Sequence, residues 1–550
     1  MAPIIRTCSL ALLILGATSA EAAKPKRPTA LMSYVQARVA DVDGQGTLAL
    51  KAYSAALAAE PGNEVVALRA LREAVDVGDR AVAISAAEAL ATADALPADG
   101  ALLLVGSRLQ RGDVAGASRL IDRLEKDEEL VFLLPVLRGW VALADKKPNP
   151  ETALGEGTGT GLGVGATLEQ RAFIELMGGK TVEAVSLVRS APMADGRAAI
   201  GRLTAAATLQ KRGDRAGALS LLGGNDPSMA AARQMITENR PLAGAIDTPV
   251  KGLAFFYARL ASDLSREEPS PMGMTLGRYA RFLDPTSPFV AVAEAQALAA
   301  SERNAAALAA LQSADVSGPY AQIAFENRLA LLQRIGRGQE AISLAQSAAQ
   351  NSSRASDFVR LGDIYSREEK FSDAAAAYAR ALEAADKRGA PERWGLLMLR
   401  GSALSQAGDW ATAKSVLREA VNLAPNQPMV LNYLGYSMLE RRENIAEAKE
   451  LLTRASTLRP EDAAITDSIG WAYYLTRDYD RAVTTLERAA LAEPLEPSIS
   501  EHLGDAYWRV GRRIEARYSW RAALLTAEED AIPRLGAKID MGLTDKNEAR

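Results

Sequence analysis

Between Ile469 and Leu524 the chain repeats itself at a fixed offset. IGWAYYLTRDYDRAVTTLERAALAEP (Ile469–Pro494) is followed by LGDAYWRVGRRIEARYSWRAAL (Leu503–Leu524), so that Gly470 and Gly504 stand 34 residues apart. Tyr473 falls on Tyr507, Ala482 on Ala516, Leu486 on Trp520 and Ala489 on Ala523. A period of this length marks a repeat array, in which each unit buries its apolar face only by stacking on its neighbours. Apolar positions three, four and seven residues apart within a unit indicate helices. The charged break at Gly511-Arg512 divides two of them, so one unit reads as a helix–turn–helix. Gly504 and Ala516 are small where the two antiparallel helices should touch, and Ala523 is small where the next unit should pack. Pro460 and Pro494 end their hairpins, because proline is not tolerated in a helix interior.

The same phase extends upstream. Leu434-Gly435 recurs with Met438, Ala448, Leu452, Ala455 and Pro460; Gly401 with Ala413, Leu417, Ala420 and Pro425; Leu361-Gly362 with Tyr365, Ala374, Tyr378 and Ala381. Successive glycines from Gly362 are 39, 34, 35 and 34 residues apart, the excess falling in a loop around 386–393. Further upstream, Ala49, Tyr53, Ala56 and Pro61 fit the second helix of a unit beginning near Ala30. Turns at Gly78-Asp79, Gly112-Asp113, Gly179-Lys180, Gly213-Asp214 and Gly408-Asp409 keep near multiples of the period, and Ala341 and Ala345 continue it after Gly336. Room exists for about fifteen units of this length. Residues 240–288 are the least regular, and a break in the array is expected there. Ile532, Leu535, Ile539 and Leu543 form one apolar stripe, which fits a final helix closing the exposed end of the stack.

These residues and spacings resemble the tetratricopeptide repeat (TPR) family. The resemblance implies an all-α fold: a right-handed superhelical solenoid of stacked helix–turn–helix repeats with a C-terminal capping helix. The expected layout is a signal peptide at 1–22, a linker at 23–29, and divergent repeats at 30–350 with a Gly-rich loop at 155–165 and the irregular region at 240–288. A regular array at 355–528 and a capping helix with its tail at 529–550 complete it.

Composition limits what the array does. The net charge of −4 gives a general nucleic-acid role no electrostatic support. At the N-terminus, Arg6, the apolar run Leu10–Leu15 and the small-x-small Ala20-Glu21-Ala22 read as a cleaved secretory signal, so a periplasmic protein is expected. Cys8 precedes the apolar run, whereas a lipid-acceptor cysteine should follow it, so no lipid anchor is expected. Cys8 is the single cysteine, and the mature chain would hold no disulfide. No other stretch reads as a transmembrane segment.

Sequence motifs for chemistry are weak. His502 is the single histidine and reads as a polar helix residue, which leaves no set of several histidines for a metal. Gly178-Gly179-Lys180-Thr181 resembles the end of a phosphate loop, but the motif's earlier glycine is replaced by Ile174. Gly155–Gly165 (GEGTGTGLGVG) lacks the β-rich run that a dinucleotide fingerprint needs before it, and reads as a flexible loop. No enzyme, catalytic residue, cofactor or metal site is expected.

A partner should bind on the concave face. In the resembled family, set positions of each first helix point into that groove, and in this chain they are Asn432, Tyr436, Leu439, Asp467, Trp471, Tyr474, Leu475, Glu501, Asp505, Trp508 and Arg509. Aromatic residues make up 5% of the chain, so Tyr436, Trp471, Tyr474 and Trp508 along one wall form a concentration typical of binding hot spots. The bland alternative is that Trp471 and Trp508 pack between repeats; Tyr473 and Tyr507 hold the position expected to be core. Asp467, Glu501 and Asp505 favour a partner segment bearing Lys or Arg. The Lys/Arg/Asn set with which some family members hold a C-terminal carboxylate is missing.

LNYLGYSML (Leu431–Leu439), DSIGWAYY (Asp467–Tyr474) and EHLGDAYWRVGRRIEARYSW (Glu501–Trp520) are similar to bacterial envelope TPR proteins that act as adaptors of carboxyl-terminal processing proteases. The resemblance implies a non-catalytic scaffold whose protein partner is an envelope protease, a wall hydrolase or an export component. Those adaptors carry a lipid anchor, which this leader does not supply. The alternative is a structural part of an envelope export or polysaccharide-secretion assembly. The oligomeric state is open on sequence grounds.

Overall fold

The computed structural model describes residues 29–155, 164–190, 196–224, 226–266, 269–312, 318–386, 393–544 and 547–548. The leader at 1–22, the linker before residue 29 and most of the Gly-rich loop at 155–165 lie outside the described residues. Among the described residues every regular element is helical, and consecutive helices pair as antiparallel hairpins that stack on one another. The fold is the all-α solenoid of helix–turn–helix repeats that the period predicts, with a cap helix at its end. No helix among these residues is long and apolar enough to cross a membrane.

Two local devices shape the hairpins. The Gly-Asp pairs are turns in which the glycine takes a left-handed backbone and the aspartate starts the next helix. Gly78 has φ +89°, and the Asp79 carboxylate accepts the Val82 amide at 3.0 Å. This arrangement ends one helix and satisfies an orphan donor of the next. The repeat glycine is a contact point between the two helices of a hairpin. A Cβ on Gly504 would lie 2.4 Å from the Trp520 ring, and one on Gly470 would lie 2.7 Å from Leu486. The larger partner one helix away therefore fixes the glycine.

The chain divides into two compact units, 1–331 and 332–550. In the first, residues 240–288 do not run on as further hairpins of a linear stack but turn inward. Helices Pro249–Leu264 and Pro271–Leu283 pack against Glu64–Val77, Ala98–Gln110 and Leu134–Ala144. The Tyr257 hydroxyl donates to the Leu102 carbonyl at 3.0 Å, and the Gln110 amide donates to the Leu283 carbonyl at 3.2 Å. Arg278 donates to the Val75 and Asp76 carbonyls at 3.1 and 2.8 Å, filling the unsatisfied C-terminal acceptors of Glu64–Val77. The irregularity of this region in sequence has a physical cause. Every residue from Gly252 to Ala261 is buried, because helices of the same unit cover this one on several sides, and the neighbours it meets do not recur at one period.

The second unit begins with helix Gly338–Gln350 and continues as five hairpins. Their first helices are Ala355–Arg367, Arg393–Gln406, Pro428–Glu440, Ala463–Leu475 and Pro497–Arg509; their second helices are Phe371–Asp386, Trp410–Leu423, Ile445–Leu458, Tyr479–Ala492 and Arg513–Thr526. The cap helix Ile532–Met541 packs on Arg513–Thr526.

Candidate protein-binding site

The first helices of the last three repeats carry the expected groove residues in register. Each helix starts with a defined N-terminus: Pro428 and Pro497 stand at the first turn, and the Asp462 carboxylate accepts the Ile465 amide at 3.1 Å. The small glycine turns toward the second helix of its own hairpin. Residues directly after it (Tyr436, Trp471, Asp505) and three before it (Asn432, Asp467, Glu501) occupy equivalent places one period apart.

One period also brings neighbouring helices into contact. His502 stands 35 residues after Asp467, and its Nδ1 lies 2.9 Å from both Asp467 carboxylate oxygens. The Trp471 ring is sandwiched, stacked on Tyr474 at 4.4 Å and on His502 at 4.2 Å between centroids. Trp520, from a second helix, donates its indole N–H to Asp505 at 2.9 Å, and Trp508 packs on it at 5.5 Å.

The cap helix closes over this face. Lys538, with no exposed surface, donates to Glu501 at 2.6 Å and to the two Asp505 oxygens at 2.7 and 2.8 Å. Arg534, one turn earlier, grips Glu501 with two bonds of 2.9 Å. After the helix, Gly542 lies against Trp508, where a Cβ would come within 2.2 Å of the ring. The Glu548 carboxylate then accepts the Tyr474 hydroxyl at 2.5 Å and Arg509 at 2.8 Å.

Charge is matched at His502, Glu501 and Glu548. Burial alone would depress the His502 pKa, but Asp467, with Asp505 and Glu501 behind it, raises it above the ordinary 6.5. Burial would raise Glu501, yet hydrogen bonds and charge from Arg534 and Lys538 hold it below the ordinary carboxylate value. Glu548 follows the same rule: burial pushes it up, and Tyr474 and Arg509 bring it below. Glu440, at the end of Pro428–Glu440, is raised by burial.

The eleven expected groove residues therefore share a face, but most of it is covered. Leu439, Asp467, Trp471, Tyr474, Glu501 and Asp505 are buried; Asn432, Tyr436, Leu475 and Trp508 are half-buried; Arg509 is exposed. Trp471 is buried, whereas Tyr473 is only half-buried between Lys449 and Arg481 of two second helices, at 4.7 and 5.8 Å from its ring. Tyr507 is buried as expected, with its hydroxyl on Glu487. The acidic face does attract Lys and Arg, and those it holds belong to the same chain. Sequence reasoning missed Arg534, Lys538 and Glu548 and took His502 for an ordinary polar residue. Two signals were available: Arg534 and Lys538 stand four apart on the last helix, and His502 lies one period after an aspartate.

Comparison with known proteins bears on this half of the chain. A model of the tetratricopeptide repeat matches residues 359–428, 439–493 and 468–532. A TPR repeat-containing protein of Pseudomonas aeruginosa is 35% identical over 115 residues, 21% of this chain and 19% of the relative, so the chain spans about a fifth of that protein's length. Among solved structures, a thermophilic TPR protein of Thermus thermophilus is 22% identical over 34% of this chain and 98% of its own, with a TM-score of 0.29. The Cut9–Hcn1 hetero-tetramer is 15% identical over 92% and 88%, with a TM-score of 0.33. The matches to the tetratricopeptide repeat model fall on the regular hairpins of the second unit, from Ala355–Arg367 to Arg513–Thr526.

Proposed function

We propose that the chain is a non-catalytic periplasmic scaffold that holds a protein partner on the first-helix face of its C-terminal repeats, the partner being an envelope protease or a cell-wall enzyme. One observation carries the reading. Aromatic rings and carboxylates are concentrated on the face shared by Pro428–Glu440, Ala463–Leu475 and Pro497–Arg509, within a chain that is only 5% aromatic. Rigid rings beside fixed charges are what a specific protein contact uses, and on this face Asn432, Tyr436, Leu475, Trp508 and Arg509 keep exposed surface for one. The residues of the leader support the envelope setting.

Residues still reachable on that face give the test. Asn432 and Tyr436 are half-buried, and the Asn432 Oδ1 atom, itself buried, has no hydrogen-bond partner among the described residues. Affinity purification of the tagged chain from an envelope fraction should recover a carboxyl-terminal processing protease or a wall hydrolase in near-stoichiometric amount. The double change Asn432→Ala, Tyr436→Ala should remove it while leaving the helical circular dichroism intact. Recovery untouched by that pair, or no envelope protein above background, ends the reading. Trp471→Ala is unsuitable as a probe, because its ring is sandwiched in the core.

A further inference from the structure

The cap helix is attached in an unusual way. It is ten residues long, short of the length at which a helix is stable by itself in water. Only Leu535 and Lys538 of its residues are buried, while Ile532 and Met541 are exposed. Its hold on the repeats combines buried Leu535, buried Lys538 and the bidentate Arg534 with half-buried Ile539, whose carbonyl accepts from Arg517 at 2.9 Å, and with the Gly542 and Glu548 contacts that follow the helix. The seat beneath it depends on the repeats themselves. Trp520 fixes Asp505 through its indole N–H, and His502 fixes Asp467 one period upstream. Acceptors held in place by the repeats, with an occupant that meets them through one lysine and one arginine beside an apolar stripe, describe a binding site that is already filled.

We propose that the Glu501–Asp505 seat is a recognition site for a partner's amphipathic helix bearing Arg-Leu-x-x-Lys, and that the cap helix, with Arg534, Leu535 and Lys538, is its internal competitor. The inference rests on the reading of this face as protein-binding. The spacing is set by the seat. Glu501 and Asp505 are one helical turn apart, so a lysine between them and an arginine one turn earlier meet both carboxylates from a single helix face. A leucine beside the arginine enters the cluster with Trp520, Ala523 and Ala506. Tethering through the short connection at 527–531 gives the cap helix a high effective concentration, so a partner must present its helix locally or bind elsewhere on the array as well.

The test uses the full chain with a specific protease site placed between Ala527 and Ala531, cut after folding. A labelled synthetic peptide spanning residues 531–548 is then added, and exchange is followed by fluorescence anisotropy and native mass spectrometry. The cut chain should take up the peptide saturably, at least tenfold more tightly than the uncut chain. Uptake should weaken at least tenfold between 0.05 and 0.5 M salt. A peptide carrying Arg534→Glu and Lys538→Glu should not compete. The proposal is overturned if the charge-reversed peptide binds equally, if the cut fragment never exchanges, or if its release unfolds the repeats by circular dichroism. Exchange without any envelope partner would leave this site standing and remove the adaptor reading; partner capture with no exchange would do the reverse.

Discussion

Lys538 is fully buried with three carboxylate oxygens within 2.8 Å. Removing one member of a buried ion pair strands the other in a poorly solvating interior. Lys538→Met should therefore destabilise the C-terminal unit by about 3 kcal/mol, the low end of such changes because Arg534 and Trp520 still hold the two carboxylates. Urea unfolding followed by tryptophan fluorescence measures it, and a loss below about 1 kcal/mol would refute the assignment of Lys538 as the main tether. His502 makes a pH prediction with a fixed sign. Its folded pKa lies above 6.5, so its stabilisation is complete below that value and is lost as pH rises through the folded value. Glu501 acts in the opposite sense: held below 4.5, it stabilises above that value and ceases to do so as pH falls through the folded one. The melting temperature of the unit should peak between those two values, and His502→Gln should flatten its alkaline side. An unchanged alkaline slope in that variant would exclude the histidine as its cause.

At the scale of the element, the hairpin is legible in sequence because each of its requirements is met within about 34 residues. Gly504 has to be small because Trp520 occupies the space its side chain would need, and Tyr378 stands against Gly362 in the same way. Gly504→Ala should therefore cost about 1–3 kcal/mol through overpacking of a rigid ring. Gly536, in the middle of the cap helix, has no neighbour near its missing Cβ. Gly536→Ala should instead stabilise by about 0.5–1 kcal/mol, as helix interiors favour alanine. Thermal melts of the two variants should move in opposite directions; two shifts of the same sign would contradict the contact described. The cap was legible as a helix from its apolar stripe, but its seat was not. The repeat predicts neighbours one period apart, and the period ends before Arg534 and Lys538. Carboxylates that read as waiting for a foreign cation are neutralised by the next element of their own chain.

On the scale of the molecule, two compact units with separate cores should unfold separately. Calorimetry should show two transitions, with Lys538→Met shifting only one and Arg278→Ala only the other. A single transition moved by both variants would mean the units are one cooperative body. The units also differ in how their contacts are distributed along the chain. Contacts at 332–550 are mostly between consecutive elements, whereas in 1–331 Gln110 reaches Leu283 across 173 residues and Arg278 reaches Asp76 across 202. This explains why periodicity reads the second unit well and the first poorly: residues that meet partners 173 or 202 positions away answer to neighbours that do not recur at one period.

The inward helix pair has a consequence for how the chain is made. A polypeptide emerges from its N-terminus at about 5–20 residues per second. The carbonyls of Val75 and Asp76 and the apolar face around Leu102 must therefore wait roughly ten to forty seconds for Tyr257, Arg278 and Leu283 to be synthesised. A chain with this topology cannot complete its first unit until Leu283 is present, while its second unit is joined mostly by contacts between consecutive elements.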